Sequence, residues 1–96
     1  MELYIFARFH ARASEEAALA DAIGAVLGPT REEPGCLTIH GYRSIRDPGL
    51  FYIHSRWTGE DAFDNHARLP HTVRFIERAE TLVDQPIEVT RSEEIG

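Results

Sequence analysis

The sequence contains no lysine. Its ten cationic side chains are all arginine. That removes Schiff-base chemistry, including lysine-held pyridoxal phosphate. It also removes the lysine of a phosphate-binding P-loop, for which no glycine pattern exists either. A single cysteine, Cys36, excludes an intrachain disulfide and a thiol-only metal site. At the head of an alternating stretch it reads as a small core residue rather than a reactive thiol. No basic cluster offsets the net charge of −6, so neither nucleic acid nor an acidic membrane surface is an expected partner. No apolar run reaches membrane-spanning length, and the start, Met1-Glu2-Leu3-Tyr4, lacks the basic region of a signal peptide. A cytoplasmic location is the expectation.

What remains is an ordinary globular balance, 43% hydrophobic and 27% charged over 96 residues. One domain spanning 1–96, with a modest core, is expected. Residues 2–12 alternate as a strand, with Leu3, Ile5, Ala7 and Phe9 on one side and Tyr4, Phe6, Arg8 and His10 on the other. Ser14 is placed to cap a helix whose apolar stripe is Leu19, Ala22, Ile23, Val26 and Leu27. Gly28-Pro29 should kink or interrupt that helix, which resumes to Glu33. Residues 36–44 and 50–57 read as two strands. The first has Leu37 and Ile39 on one face. The second has Phe51, Ile53, Ser55 and Trp57 on one side. Asp47-Pro48-Gly49 between them fits a type II turn, with Gly49 at the positive-φ position. Thr58 and Asp61 resemble a capping box for a helix that carries Phe63, His66 and Ala67 on one face. Pro70 opens a second segment with Val73, Ile76 and Ala79 inward. Residues 87–91 form a last strand, and Ser92–Gly96 a frayed tail.

Strand, helix, strand, strand, helix, strand is the split βαβ, ferredoxin-like order: an α+β fold with both helices on one face of an antiparallel sheet. The uncovered face would carry Tyr4, Phe6, His40, Tyr42, Tyr52 and His54. A second copy of the same face, giving a homodimer, is the simplest cover.

Among candidate functional residues, His66 is the strongest base, because imidazole titrates near neutral pH. Trp57, only a short turn away, is placed to wall a pocket for a flat ring. Phe63, Phe51, Ser55 and His71 are candidate substrate contacts. His40 and His54 belong to the face assigned to the partner copy. No H-x-H or H-x-x-x-H pair exists, and no metal site is expected.

Glu33-Pro34-Gly35-Cys36-Leu37, then Arg56-Trp57 after a hairpin, then His66 and Leu69-Pro70-His71, resemble in order and spacing the antibiotic biosynthesis monooxygenase family. This family includes quinol monooxygenases and cofactor-free oxygenases of polycyclic aromatic polyketides. The resemblance covers almost the whole chain. It implies a dimeric α+β barrel and oxygenation of an electron-rich, quinol- or anthrone-like aromatic by molecular oxygen, with no metal or flavin. A phenol or quinol would be deprotonated in an apolar pocket, and its anion would reduce oxygen. Many members carry Glu in an E-x-W pattern where this chain has Ser55-Arg56-Trp57, which removes one acid–base group. The haem-degrading relatives' first-strand Asn and Trp–His pair are missing, which disfavours haem. Other readings of the same pocket are an isomerase, a lyase and a non-catalytic binding dimer.

Overall fold

The computed structural model describes residues 1–96. Its elements are β1 (Leu3–His10), α1 (Glu16–Arg31), β2 (Cys36–Arg43), β3 (Leu50–Trp57), α2 (Glu60–Arg68), α3 (Pro70–Glu80) and β4 (Glu88–Ser92). The strands form one antiparallel sheet in the order β2-β3-β1-β4, the ferredoxin-like arrangement. The alternation in β1 works as its pattern dictates. Leu3, Ile5, Ala7 and Phe9 are buried under the helices, while Phe6 on the other face is half exposed. From β3, Phe51, Ile53, Ser55 and Trp57 are buried on the same side. The main core joins Ala7, Phe9, Phe51 and Ile53 to Leu19, Ala22, Ile23 and Val26 of α1 and to Phe75 and Ala79 of α3. No helix is long and apolar enough to cross a membrane.

Several local expectations are corrected. Pro29 does not interrupt α1, which runs unbroken to Arg31. It lies in the last turn, and the Thr30 hydroxyl donates to the Val26 carbonyl at 2.7 Å beside the missing amide bond. Ser14 does not cap; it takes a positive φ of 74° and its amide donates to the Glu16 carboxylate. Thr58 does not cap α2 either, since the helix begins two residues later behind Gly59. Leu37 does not share the buried face of Ile39. A bulge between Cys36 and Thr38 breaks the alternation, leaving Leu37 exposed and Cys36 packed against the core. Desolvation, then the nearby Glu33 carboxylate, raises the Cys36 pKa. Val73 is exposed because α3 turns Thr72, Phe75 and Ala79 inward. The last strand starts at Glu88, one residue late.

The hairpin turn is not type II. The Leu50 amide donates to the Asp47 carbonyl at 3.1 Å, yet no glycine takes the left-handed φ that a type II turn requires. Gly49 is required for room instead, because a Cβ there would lie 3.2 Å from the His10 ring. His10 holds this corner. Its Nδ1 is 2.8 Å from Asp84 and its Nε2 3.1 Å from Asp47. Only the imidazolium donates to two carboxylates at once. Asp84, then Asp47, accordingly raise the His10 pKa.

A second close approach sets the functional end. Gly35 precedes β2, and its carbonyl accepts the Thr58 amide at 3.0 Å. A Cβ on Gly35 would run into Ala62 of α2. Glycine at 35 therefore lets α2 close on the loop carrying Glu33. Gly35→Ala should destabilise the protein by about 1–3 kcal/mol, the usual scale for overpacking. At about 4–8 °C per kcal/mol for a domain of this size, thermal unfolding will resolve it. Gly24→Ala is the control: a Cβ there meets nothing, and the melting temperature should hold or rise. An unchanged melting temperature for Gly35→Ala would show that Ala62 gives way freely.

Candidate functional site

The site is built by a break between two helices. Proline at 70 forces the preceding residue out of the helical region, and Leu69 is extended, at φ −73° and ψ 147°. Pro70 sits at the first turn of α3, where no amide hydrogen is needed. The chain turns enough for His66, near the end of α2, and His71, at the start of α3, to face one carboxylate.

That carboxylate is Glu33. Its Oε2 lies 2.8 Å from His66 Nδ1 and 2.7 Å from His71 Nε2. The carboxylate side chain is only 9% exposed, and those of His66 and His71 are 11% and 20% exposed. An ionised carboxylate only accepts, so both facing nitrogens carry hydrogen. The Thr72 hydroxyl, 3.2 Å from the same Nδ1, braces the ring further. In neutral His66 the lone pair is then on Nε2. No hydrogen bond reaches that atom, and it is not sealed from solvent: the only buried side-chain nitrogen or oxygen without a partner is Arg56 Nε.

His66 borders a cavity of about 240 Å³ between sheet and helices. Ile5, Ala7, Phe9, Ile39 and Ile53 form its floor, and Phe63, Ala67, Phe75 and Ile76 its roof. Four lining side chains are polar: Thr30, Ser55, His66 and Thr72. The Thr30 hydroxyl donates to the Val26 carbonyl, Ser55 accepts the Trp57 indole N–H at 2.9 Å, and Thr72 contacts His66. His66 is therefore the one ionisable residue in the lining. The exposed liners Ala67 and Val89 place the mouth between α2 and β4. Arg91 straps that edge. It is 3.1 Å from Glu60 and 2.7 Å from Asp64, with its guanidinium over the Phe63 ring.

The candidate residues separate on this geometry. Ser55, Phe63 and His66 line the cavity; Trp57, Phe51 and His71 do not. Trp57 is completely buried with Leu3 and Ile5 in a smaller core. Its ring lies 4.6 Å from that of His66, centroid to centroid, and edge-on to Phe63. It backs the histidine instead of facing a ligand, which corrects the expectation that Trp57 walls the cavity. Phe51 is four residues from Ser55 along an extended strand, about 13 Å away, and packs at the far end of the core beneath Arg43. His71 reaches the site through Glu33 and lines a shallow groove between α1 and α3 with Arg74 and Arg78. Sequence reasoning missed Glu33 and Thr72 as site residues. The signal for Glu33 was a carboxylate beside Pro-Gly with two histidines downstream. Nothing in a lone threonine marked Thr72.

Comparison with known proteins agrees with this architecture. The family model described as antibiotic biosynthesis monooxygenase matches residues 3–78. The Mycobacterium tuberculosis protein Rv0793 is 31% identical over 86 residues, 90% of this chain and 84% of the relative. Its structure superposes with a TM-score of 0.94, covering 100% of this chain and 97% of the other at 27% identity. PA3566 from Pseudomonas aeruginosa gives a TM-score of 0.91 at 25% identity, covering 99% and 95%.

Ser55 accepts the only hydrogen bond of a buried indole. Ser55→Ala should therefore cost about 1–3 kcal/mol, the penalty for leaving a buried donor without a partner. Chemical denaturation will read it, and Ser55→Thr, which keeps the oxygen, should recover part of the loss. A Ser55→Ala midpoint equal to wild type would mean that the indole finds water or moves.

Proposed function

Because the chain belongs to the antibiotic biosynthesis monooxygenase family, we propose that it oxygenates a small electron-rich aromatic, a phenol or quinol of one or two rings, with molecular oxygen and no organic or metal cofactor. The observation that carries this reading is the apolar cavity whose one base, His66, is oriented from behind by Glu33. A cavity of about 150 Å³ holds benzene, so about 240 Å³ accommodates one ring with substituents or a fused pair. A three-ring anthrone would need the mouth between α2 and β4 to open.

The chemistry balances without an external reductant. A phenol and one oxygen molecule give a quinone and one water: one oxygen atom enters the ring, the other leaves as water, and all four electrons come from the substrate. The protein's part is to generate the phenolate. His66 Nε2 takes the phenolic proton, and Glu33 stabilises the imidazolium that results. The apolar lining leaves the anion poorly solvated and therefore more reducing. Phe63 supplies an aromatic face, and the Ser55 hydroxyl remains free to donate to a substrate oxygen.

The working unit in this reading is a homodimer closed through the open sheet faces. Phe6, Tyr42 and Tyr52 are about 40–50% exposed there, and His54 packs against Phe6 with centroids 4.8 Å apart. An obligate interface of this kind buries roughly 2,000 Å² or more in total. Sedimentation equilibrium at micromolar concentration should give twice the chain mass, and a clean monomer would remove the dimer.

Oxygen uptake with a panel of hydroquinones and naphthols tests the reaction; turnover under strict anaerobiosis would redirect it to an isomerase or lyase. His66→Ala should lower turnover by roughly 10²-fold or more at neutral pH, the scale of one positioned base, and leave dimerisation intact. The deficit should shrink at high pH, where the phenol ionises unaided. Equal rates for wild type and His66→Ala across that range would take His66 out of the mechanism.

A further inference from the structure

The three side chains that orient the base are also a metal-ligand set. Glu33 Oε2, His66 Nδ1 and His71 Nε2 come from three separate segments and lie within 4.8 Å of one another. All three side chains are largely shielded from solvent, with His71 the most exposed. Two imidazoles and a carboxylate suit zinc and its neighbours in the transition series. Bonds of about 2.0–2.1 Å place tetrahedral ligand atoms about 3.3 Å apart. The 2.7 and 2.8 Å contacts to Glu33 would have to open by about half an ångström, and the two ring nitrogens, within 4.8 Å of each other, would have to settle at the same spacing by side-chain torsion. The Thr72 hydroxyl lies 3.2 Å from Nδ1, and the fourth ligand would be that oxygen or a water.

We propose that Glu33, His66 and His71 bind one divalent transition-metal ion of the zinc type, and that its binding switches off the base facing the cavity. The proton balance gives the second half. In the metal-free site His66 carries hydrogen on Nδ1 and a lone pair on Nε2. Coordination through Nδ1 requires that nitrogen to lose its proton. Neutral imidazole keeps one hydrogen, which must then stand on Nε2. Nε2 becomes a donor and can no longer accept a phenolic proton. His71 likewise coordinates through Nε2 and keeps its hydrogen on Nδ1. The ion is thus an inhibitor here, not a cofactor. The inhibitory half rests on the oxygenase reading; the binding half does not.

Cobalt(II) titration of the purified dimer or monomer, whichever exists, followed by visible absorption, reads binding directly. Wild type should take up one cobalt per chain with the intense bands of a four-coordinate nitrogen–oxygen site, and zinc should displace it. Glu33→Gln, which keeps shape and loses charge, and His71→Ala should each weaken binding by at least 10-fold. His40→Ala, on the open sheet face, should match wild type. Thermal unfolding reports whether each variant is folded, and Glu33→Gln serves if His71→Ala is not. No saturable cobalt uptake by wild type at millimolar concentration, or unchanged affinity in a folded variant, overturns the site. If cobalt binds at these residues and zinc leaves the oxygen-uptake rate of an active preparation unchanged, the switch is wrong and the site stands. If no substrate is oxygenated at all, the oxygenase reading fails and the spectral result is unaffected.

Discussion

One carboxylate oxygen organises the functional end of this chain. A carboxylate with a side chain only 9% exposed carries a desolvation cost of several kcal/mol unless charge-assisted hydrogen bonds replace the lost water. Glu33 has two such donors, from separate helices, on the same oxygen. Removing either ring would leave the charge half-solvated in a closed space, so the pair is held by the cost of its absence as much as by its attraction. This constraint reaches into the backbone. Gly35 must lack a side chain for α2 to approach, and Pro70 must break the helix for His71 to turn back.

The rest of the site follows from that anchoring. Glu33 sets which nitrogen of His66 carries hydrogen, and Thr72 and the Trp57 ring set the plane in which the imidazole lies. A histidine so placed can present a lone pair to an apolar cavity without a water to orient it. The hydroxyls of Thr30 and Ser55 in the cavity's lining are already engaged, by the Val26 carbonyl and the Trp57 indole. A substrate hydroxyl entering it therefore meets one acceptor of consequence.

The fold was legible because it rests on periodicity. Alternation in β1 and β3 and the stripe in α1 reflect burial, and burial is a property each segment carries in its own pattern. The errors lie where a local rule met a tertiary constraint. Pro-Gly after Asp47 has the composition of a type II turn, but the His10 ring beside Gly49 explains the glycine, and its φ stays outside the left-handed region. Leu37 has the polarity of a core residue, but a bulge turns it outward. The site was legible only in fragments. His66 and Phe63 share a helical face, which sequence spacing reveals. The meeting of His66 and His71 depends on a dihedral angle at Leu69, and their meeting with Glu33 on a contact across more than thirty positions. The His66 and His71 spacing, with four residues between, falls within the range common for paired metal ligands, but nothing in the sequence joins that pair to Glu33.

Ser55 ties these strands of reasoning together. In the resemblance that the sequence shows, many relatives carry glutamate two positions before the tryptophan. Here that position is buried to 2% exposure and lines the cavity. A glutamate there would set a second carboxylate in an apolar space whose nearby cationic capacity, His66, already faces Glu33. Two carboxylates competing for one imidazole would raise each other's pKa values. Serine avoids this by accepting the indole N–H with a neutral oxygen. The substitution therefore concentrates the acid–base capacity of the cavity in a single histidine backed by a single carboxylate. It also leaves the indole buried and satisfied against the His66 ring rather than exposed to the cavity.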